Sequence, residues 1–127
     1  MAKRIGDRPS GGRRGSSGYV PDVGDLVWFS FSPQAGREQA GRRPALVLSP
    51  RSYNGNTGLC LVCPVTAQAK GYPFEVVLPE GLPVQGVVLG DHVKSADWQA
   101  RNAEHVGSAP AEVLAQVRAR LGPLLGM

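Results

Sequence analysis

Two strand-like runs decide the fold: Leu26-Val27-Trp28-Phe29-Ser30-Phe31 and Ala45-Leu46-Val47-Leu48. The first mixes β-branched and aromatic residues, as strands do. The second is apolar throughout and suits a strand covered on both faces. Between them lies the polar stretch Gly36-Arg37-Glu38-Gln39-Ala40-Gly41-Arg42-Arg43-Pro44. Pro33 opens this loop and Pro44 closes it at the start of the next strand, where proline is tolerated. A glycine-bounded loop that ends in an arginine against a proline concentrates charge at one mouth of a small β-sheet.

Working outward, Pro21 to Asp25 reads as a turn into the first strand. Ser49 to Gly58 carries Pro, Asn-Gly and Thr-Gly signals and is expected to be a turn, with room for one helical turn. Further short strands are expected at Leu59–Val65, Phe74–Leu78, Gly86–Leu89 and Val93–Ala96, with Pro64-Val65-Thr66-Ala67-Gln68 as a second polar point after an apolar strand. Then the period changes. Val113, Leu114, Val117 and Leu121 share one helical face, with Glu112, Gln116 and Arg120 opposite. Ser108 is the expected cap, Pro110 fits the first turn, and Gly122-Pro123 should end or kink the helix. The expected fold is mainly β with a C-terminal helix: a small barrel or strongly bent sheet in a single domain.

The 127 residues suit one domain with a real core, and the hydrophobic fraction of 42% is ordinary. No apolar run approaches a membrane span and no signal-peptide pattern opens the chain, so a cytoplasmic location is the expectation. The net charge of +4 is misleading if read globally. Residues 1–18 hold five basic side chains against Asp7, and the remainder balances nine basic with nine acidic residues. That first segment, rich in Gly, Ser and Arg, is expected to be a disordered basic tail, with the folded domain spanning 19–127. Any affinity of the folded part for a polyanion must then come from a local cluster, for which Arg37, Arg42, Arg43 and Lys70 are available.

Cys60 and Cys63 form a C-x-x-C inside an apolar strand. Their spacing puts them on opposite faces, because side chains alternate along a strand. With no second Cys pair, and with His92 and His105 out of zinc spacing, buried free thiols are expected and no metal site.

The ordered set Tyr19 to Asp25, Arg43-Pro44, Val47 to Pro50, Tyr53-Asn54, Thr57-Gly58, Lys70 to Glu75 and Asp91 to Ser95 resembles the MazF/PemK family of toxin endoribonucleases, specifically its MazF branch. The resemblance implies an SH3-like barrel of the CcdB/MazF type. It also implies a toxin of a type II toxin–antitoxin pair that cuts single-stranded mRNA without metal or cofactor. The implied partners are a second copy of the chain and a MazE-like antitoxin. By that resemblance Arg43, Thr66 and Glu38 are the catalytic positions, with Arg37, Gln39, Lys70, Asp91 and His92 on the RNA. The PemK branch pairs the acid at Asp91 with an arginine two residues earlier; this chain has Leu89 there, so the Arg43-centred arrangement fits better. His92 stands where many MazF relatives carry glutamine, adding a group that titrates near neutrality.

The residue chemistry suits that expectation. RNA is cut without metal when the ribose 2′-OH attacks its own phosphate, which needs a proton acceptor, a donor to the leaving 5′-oxygen, and positive charge on the phosphate oxygens. The planar, permanently charged fork of Arg43 matches two phosphate oxygens. A threonine hydroxyl donates well but accepts a proton poorly. Glu38 and Asp91 are the candidate acceptors, and His92 can serve as acid or base. Phe31, Tyr53 and Tyr72 are aromatic candidates for base stacking or for rim packing. The alternative is a non-enzymatic toxin on the same barrel, like the CcdB-type gyrase poisons, since fold alone does not fix function.

Overall fold

A computed structural model of the chain describes residues 18–31 and 40–127. The expected basic tail up to residue 17 lies outside the described residues, as do Arg37, Glu38 and Gln39. The elements are β1 (Asp25–Phe31), β2 (Gly41–Val47), α1 (Arg51–Thr57), β3 (Leu59–Thr66), β4 (Glu75–Val77), β5 (Val87–Leu89), β6 (Lys94–Asp97), β7 (Glu104–Ser108) and α2 (Ala111–Leu124). All described pairings are antiparallel, in the order β4-β5-β3-β2-β1-β7. β6 takes the opposite end of β3 from β5: Leu59–Val62 pair with β6, Val65 and Thr66 with β5. The sheet is thus strongly bent and barrel-like, with no hydrogen-bonded closure among the described strands.

Both faces of this sheet are covered, which explains its runs of unbroken apolar residues. One core gathers Leu26, Leu46, Cys63, Val65, Val76 and Val88 beneath Val113 and Val117 of α2. The other gathers Val27, Phe29, Phe31, Ala45, Val47, Cys60, Val62 and Trp98. Neighbours along each central strand go to different cores, as a two-residue period requires. Cys60 and Cys63 fall on opposite sides as expected, both free and buried. Burial pushes each thiol up from about 9 to about 12, helped by Asp97 at Cys60 and by Asp91 at Cys63.

Asn54 anchors α1. It is fully buried, and its Nδ2 donates to the carbonyls of Pro21 (2.8 Å) and Ser49 (2.9 Å). Its Oδ1 accepts from Ser49 Oγ at 2.6 Å, and its own carbonyl accepts from Trp98 Nε1 at 2.9 Å. One residue therefore ties together the entry to β1, the end of β2 and the segment after β6.

Five local expectations need correcting. Ser49–Gly58 holds a two-turn helix, closed by Gly58 in the left-handed conformation (φ 79°). β2 begins at Gly41 and not at Ala45, because Phe29, Ser30 and Phe31 supply ladder partners for Arg43, Arg42 and Gly41. Sequence patterning gives no sign of β7: Glu-His-Val-Gly-Ser is a polar edge strand whose only described neighbour is β1. Ser108 belongs to that strand and caps nothing; Pro110 holds the N-cap of α2 with no side-chain bond. The same helix continues through Gly122-Pro123 to Leu124, since a proline in the last turn removes only a terminal hydrogen bond.

Candidate active site

The ladder between β2 and β3 sets Ala45 against Pro64, Leu46 against Cys63 and Val47 against Val62. Carried two residues further, this register sets Arg43 against Thr66. Alternation then places both on the face that holds Phe29, Ala45 and Val62, at the rim of the second core. The described ladder stops at Ala45, so beyond it the strands are not tied to each other. Pro44 lies just past that end, where its missing N–H is tolerated.

Arg43 is half-buried, and its guanidinium is held by the chain itself. Nε and one Nη donate to the carbonyl of Ala40, at 3.1 and 3.0 Å. This grip on one edge of the fork fixes its plane and leaves Nη1 for another acceptor. Thr66, also half-buried, accepts the N–H of Gln68 at 3.2 Å, so its oxygen is oriented while its proton remains to be donated. Behind it, Gly86 sits at φ +123°, and a Cβ there would stand 2.2 Å from the Thr66 carbonyl oxygen. Only glycine lets β5 approach this closely.

The remaining expected residues are distributed unevenly. Lys70 is exposed on the loop that follows β3. Asp91 and His92 occupy the turn between β5 and β6, beside the middle of β3, with His92 Nε2 3.9 Å from Asp91 Oδ1. Among the described residues, no hydrogen bond or ion pair joins either of them to Arg43 or Thr66. The loop residues Arg37, Glu38 and Gln39 are outside the description. Arg42 leaves the expected basic cluster: as the next residue along β2 it points to the other face. There it binds Glu104 at 2.7 Å, the Asn102 carbonyl at 2.9 Å and Ser30 Oγ at 3.0 Å. Phe31 is only 6% exposed and packs on Phe29, so it belongs to the core; Tyr53 and Tyr72 keep exposed surface.

Sequence reasoning passes over Lys94. Its pairing with Val62 puts it on the same face as Ala45, and so on the face to which alternation assigns Arg43 and Thr66. Its Nζ reaches 5.8 Å from the centre of the Phe31 ring, at the mouth that Arg43 also borders. Among the described residues no carboxylate pairs with it. The signal is a lone lysine opening an otherwise short strand, which means little before the pairing is known.

Among the described residues no cluster of His, Cys, Asp or Glu could hold a metal ion, and no helix is long and apolar enough to cross a membrane.

The chain is similar to known proteins over most of its length. Residues 22–125 match the family model of the PemK-like, MazF-like toxin of type II toxin–antitoxin systems. The chain is 54% identical over 110 residues to the endoribonuclease toxin MazF of Escherichia coli K12, covering 87% of this chain and 98% of that one. The crystal structure of MazF from Deinococcus radiodurans superimposes with a TM-score of 0.83 at 67% identity, covering 86% of this chain and 99% of that one. A MazE–MazF crystal structure from the same organism gives a TM-score of 0.77 at 61% identity, over 86% and 98% of the two chains. The chain therefore belongs to the PemK-like, MazF-like family of toxins of type II toxin–antitoxin systems.

Proposed function

We propose that this protein is a ribosome-independent, sequence-specific endoribonuclease toxin that cuts single-stranded mRNA by internal attack of the ribose 2′-OH. The observation that supports this reading is the β2–β3 register, Ala45 against Pro64, which carried two residues further would bring Arg43 and Thr66 together at one mouth of the sheet. The 2′-oxygen bonds to phosphorus as the P–O5′ bond breaks, leaving a 2′,3′-cyclic phosphate and a 5′-hydroxyl. Arg43 neutralises the charge that builds on the non-bridging oxygens, with its fork already oriented by the Ala40 carbonyl. Thr66 donates a hydrogen bond to a phosphate oxygen. Glu38 takes the proton of the 2′-OH, and solvent water protonates the leaving 5′-oxygen.

Phosphates flanking the scissile one lie against Lys70, Arg37 and Lys94, while Gln39, Asp91 and His92 offer hydrogen bonds to bases. The working unit is a homodimer in the cytoplasm, silenced by a MazE-like antitoxin; the antitoxin part is supported by the MazE–MazF complex of the D. radiodurans relative. The folded domain is residues 19–127. The protein-binding alternative, a gyrase poison, has no such need of an Arg43–Thr66 pair, and the relatives named above give it no support.

Purified protein incubated with a defined single-stranded RNA in EDTA tests this reading. Discrete cuts with cyclic-phosphate and 5′-hydroxyl ends are expected. Intact RNA, or cleavage only after metal is added, would overturn it.

A further inference from the structure

The structure assigns Glu75 as a positioning residue that sets the phosphate grip of Lys70, an inference that rests on the RNA reading above. Glu75 opens β4 opposite Leu89 of β5, one same-face step from the row Val77–Val87–Thr66, so its carboxylate belongs to the face of the proposed site. A carboxylate on that face invites the role of proton acceptor, but its oxygens are already used. Oε1 and Oε2 accept the N–H of Lys70 at 3.2 and 3.0 Å, and Oε1 also accepts the N–H of Gly71 at 2.9 Å.

Successive backbone N–H groups that converge on one anion form a nest, and such a nest needs a residue with positive φ. Gly71 supplies it at φ +80°, in open space with no atom near a would-be Cβ. The loop after Thr66 is therefore wrapped around Glu75. The wrap turns the backbone of Lys70 inward and sends its side chain out to solvent beside the site. A carboxylate gripped by two N–H groups in three contacts braces the loop. Arg120 fixes the far end of the loop by donating from Nε to the Pro73 carbonyl at 3.1 Å.

The experiment compares wild type, Glu75→Gln, Lys70→Met and the double variant, on one cleavable RNA and on its non-cleavable 2′-deoxy counterpart. Glu75→Gln should raise KM several-fold with kcat nearly unchanged, and flatten the log K against log salt slope by about 0.7, the loss of one phosphate contact to a single strand. On top of Lys70→Met it should add nothing. Gly71→Ala strains the same nest without touching the carboxylate and must reproduce the KM signature, which covers the case in which Glu75→Gln fails to fold. A fall in kcat at constant KM, or effects that multiply in the double variant, would overturn the assignment. So would Lys70→Met that binds RNA as tightly as wild type. Wild type that leaves RNA uncut is a different failure, that of the nuclease reading itself.

Discussion

Replacing Arg43 by lysine keeps the charge and removes the fork, and the structure says what that costs. On the proposed reading the arginine does two jobs with two edges: Nε and one Nη hold the Ala40 carbonyl, and Nη1 would meet a phosphate oxygen. A lysine ammonium is a point charge on a flexible stem and cannot be fixed on the carbonyl while also meeting the phosphate in a set plane. Loss of one preorganised donor to a developing oxyanion costs about 2.7–4 kcal/mol, or about 10²–10³ in rate. Arg43→Lys should therefore lose about 10²-fold in single-turnover rate, and Arg43→Ala about 10³-fold. Folding should suffer far less. The two bonds to Ala40 are half-exposed and contribute on the order of 1 kcal/mol together, so a fall in Tm of a few degrees is expected. The assay is single-turnover cleavage of a defined RNA at saturating protein, with circular dichroism melts in parallel. An Arg43→Lys variant that retains more than about a third of the wild-type rate would refute the argument that the fork, and not the charge alone, does the work.

Asn54→Ala should destabilise the fold by about 2–4 kcal/mol, because it orphans the Pro21 and Ser49 carbonyls and the Ser49 hydroxyl in a fully buried site; chemical denaturation measures this, and a loss under about 1 kcal/mol would show that water replaces the amide. Lys94→Met keeps the apolar stem over Phe31 and removes the ammonium, so RNA binding should weaken and its salt slope flatten while Tm holds; a lowered Tm with unchanged binding would mark a packing residue instead. Cys60 and Cys63 titrate at about 12 in the folded state against about 9 when exposed. The folded state therefore holds these protons more tightly. Their contribution to stability is complete below about pH 9 and is lost as pH rises from about 9 to about 12. Alkylation at about pH 8 should accordingly be negligible in the native protein and rapid in denaturant; fast native alkylation would contradict the burial.

Much of the fold is readable from alternation and composition. Leu26–Phe31 and Leu59–Val65 carry enough apolar and β-branched residues to read as strands, and they do form β1 and β3. β7 is not readable, because His105 and Val106 lie in a polar segment whose strand character comes only from pairing with β1. The extra half of β2 escapes for the same reason: Gly41 to Arg43 look like a loop until Phe29 to Phe31 are known to lie beside them. The two-turn α1 is held by contacts of Asn54 with distant segments, which local propensity cannot reveal.

The site shows the same division. The identities of Arg43 and Thr66 come from resemblance, and the proposal that they face each other extends the register of two strands past Ala45 and Pro64. The fate of Arg42, bound to Glu104 across β1 and β7, depends on a contact between residues far apart in sequence. Lys94 and Glu75 go unread because a lysine in a short strand and a glutamate shortly after a proline have no meaning before the sheet is assembled.

The central claim is that Arg43 and Thr66 act on the same phosphate, and a double-mutant cycle on the single-turnover rate tests it most directly. Groups that act as a unit are strongly non-additive, so Arg43→Ala combined with Thr66→Ala should be little slower than Arg43→Ala alone. A double variant slowed by the product of the two single effects would show two groups working independently, and would contradict the account.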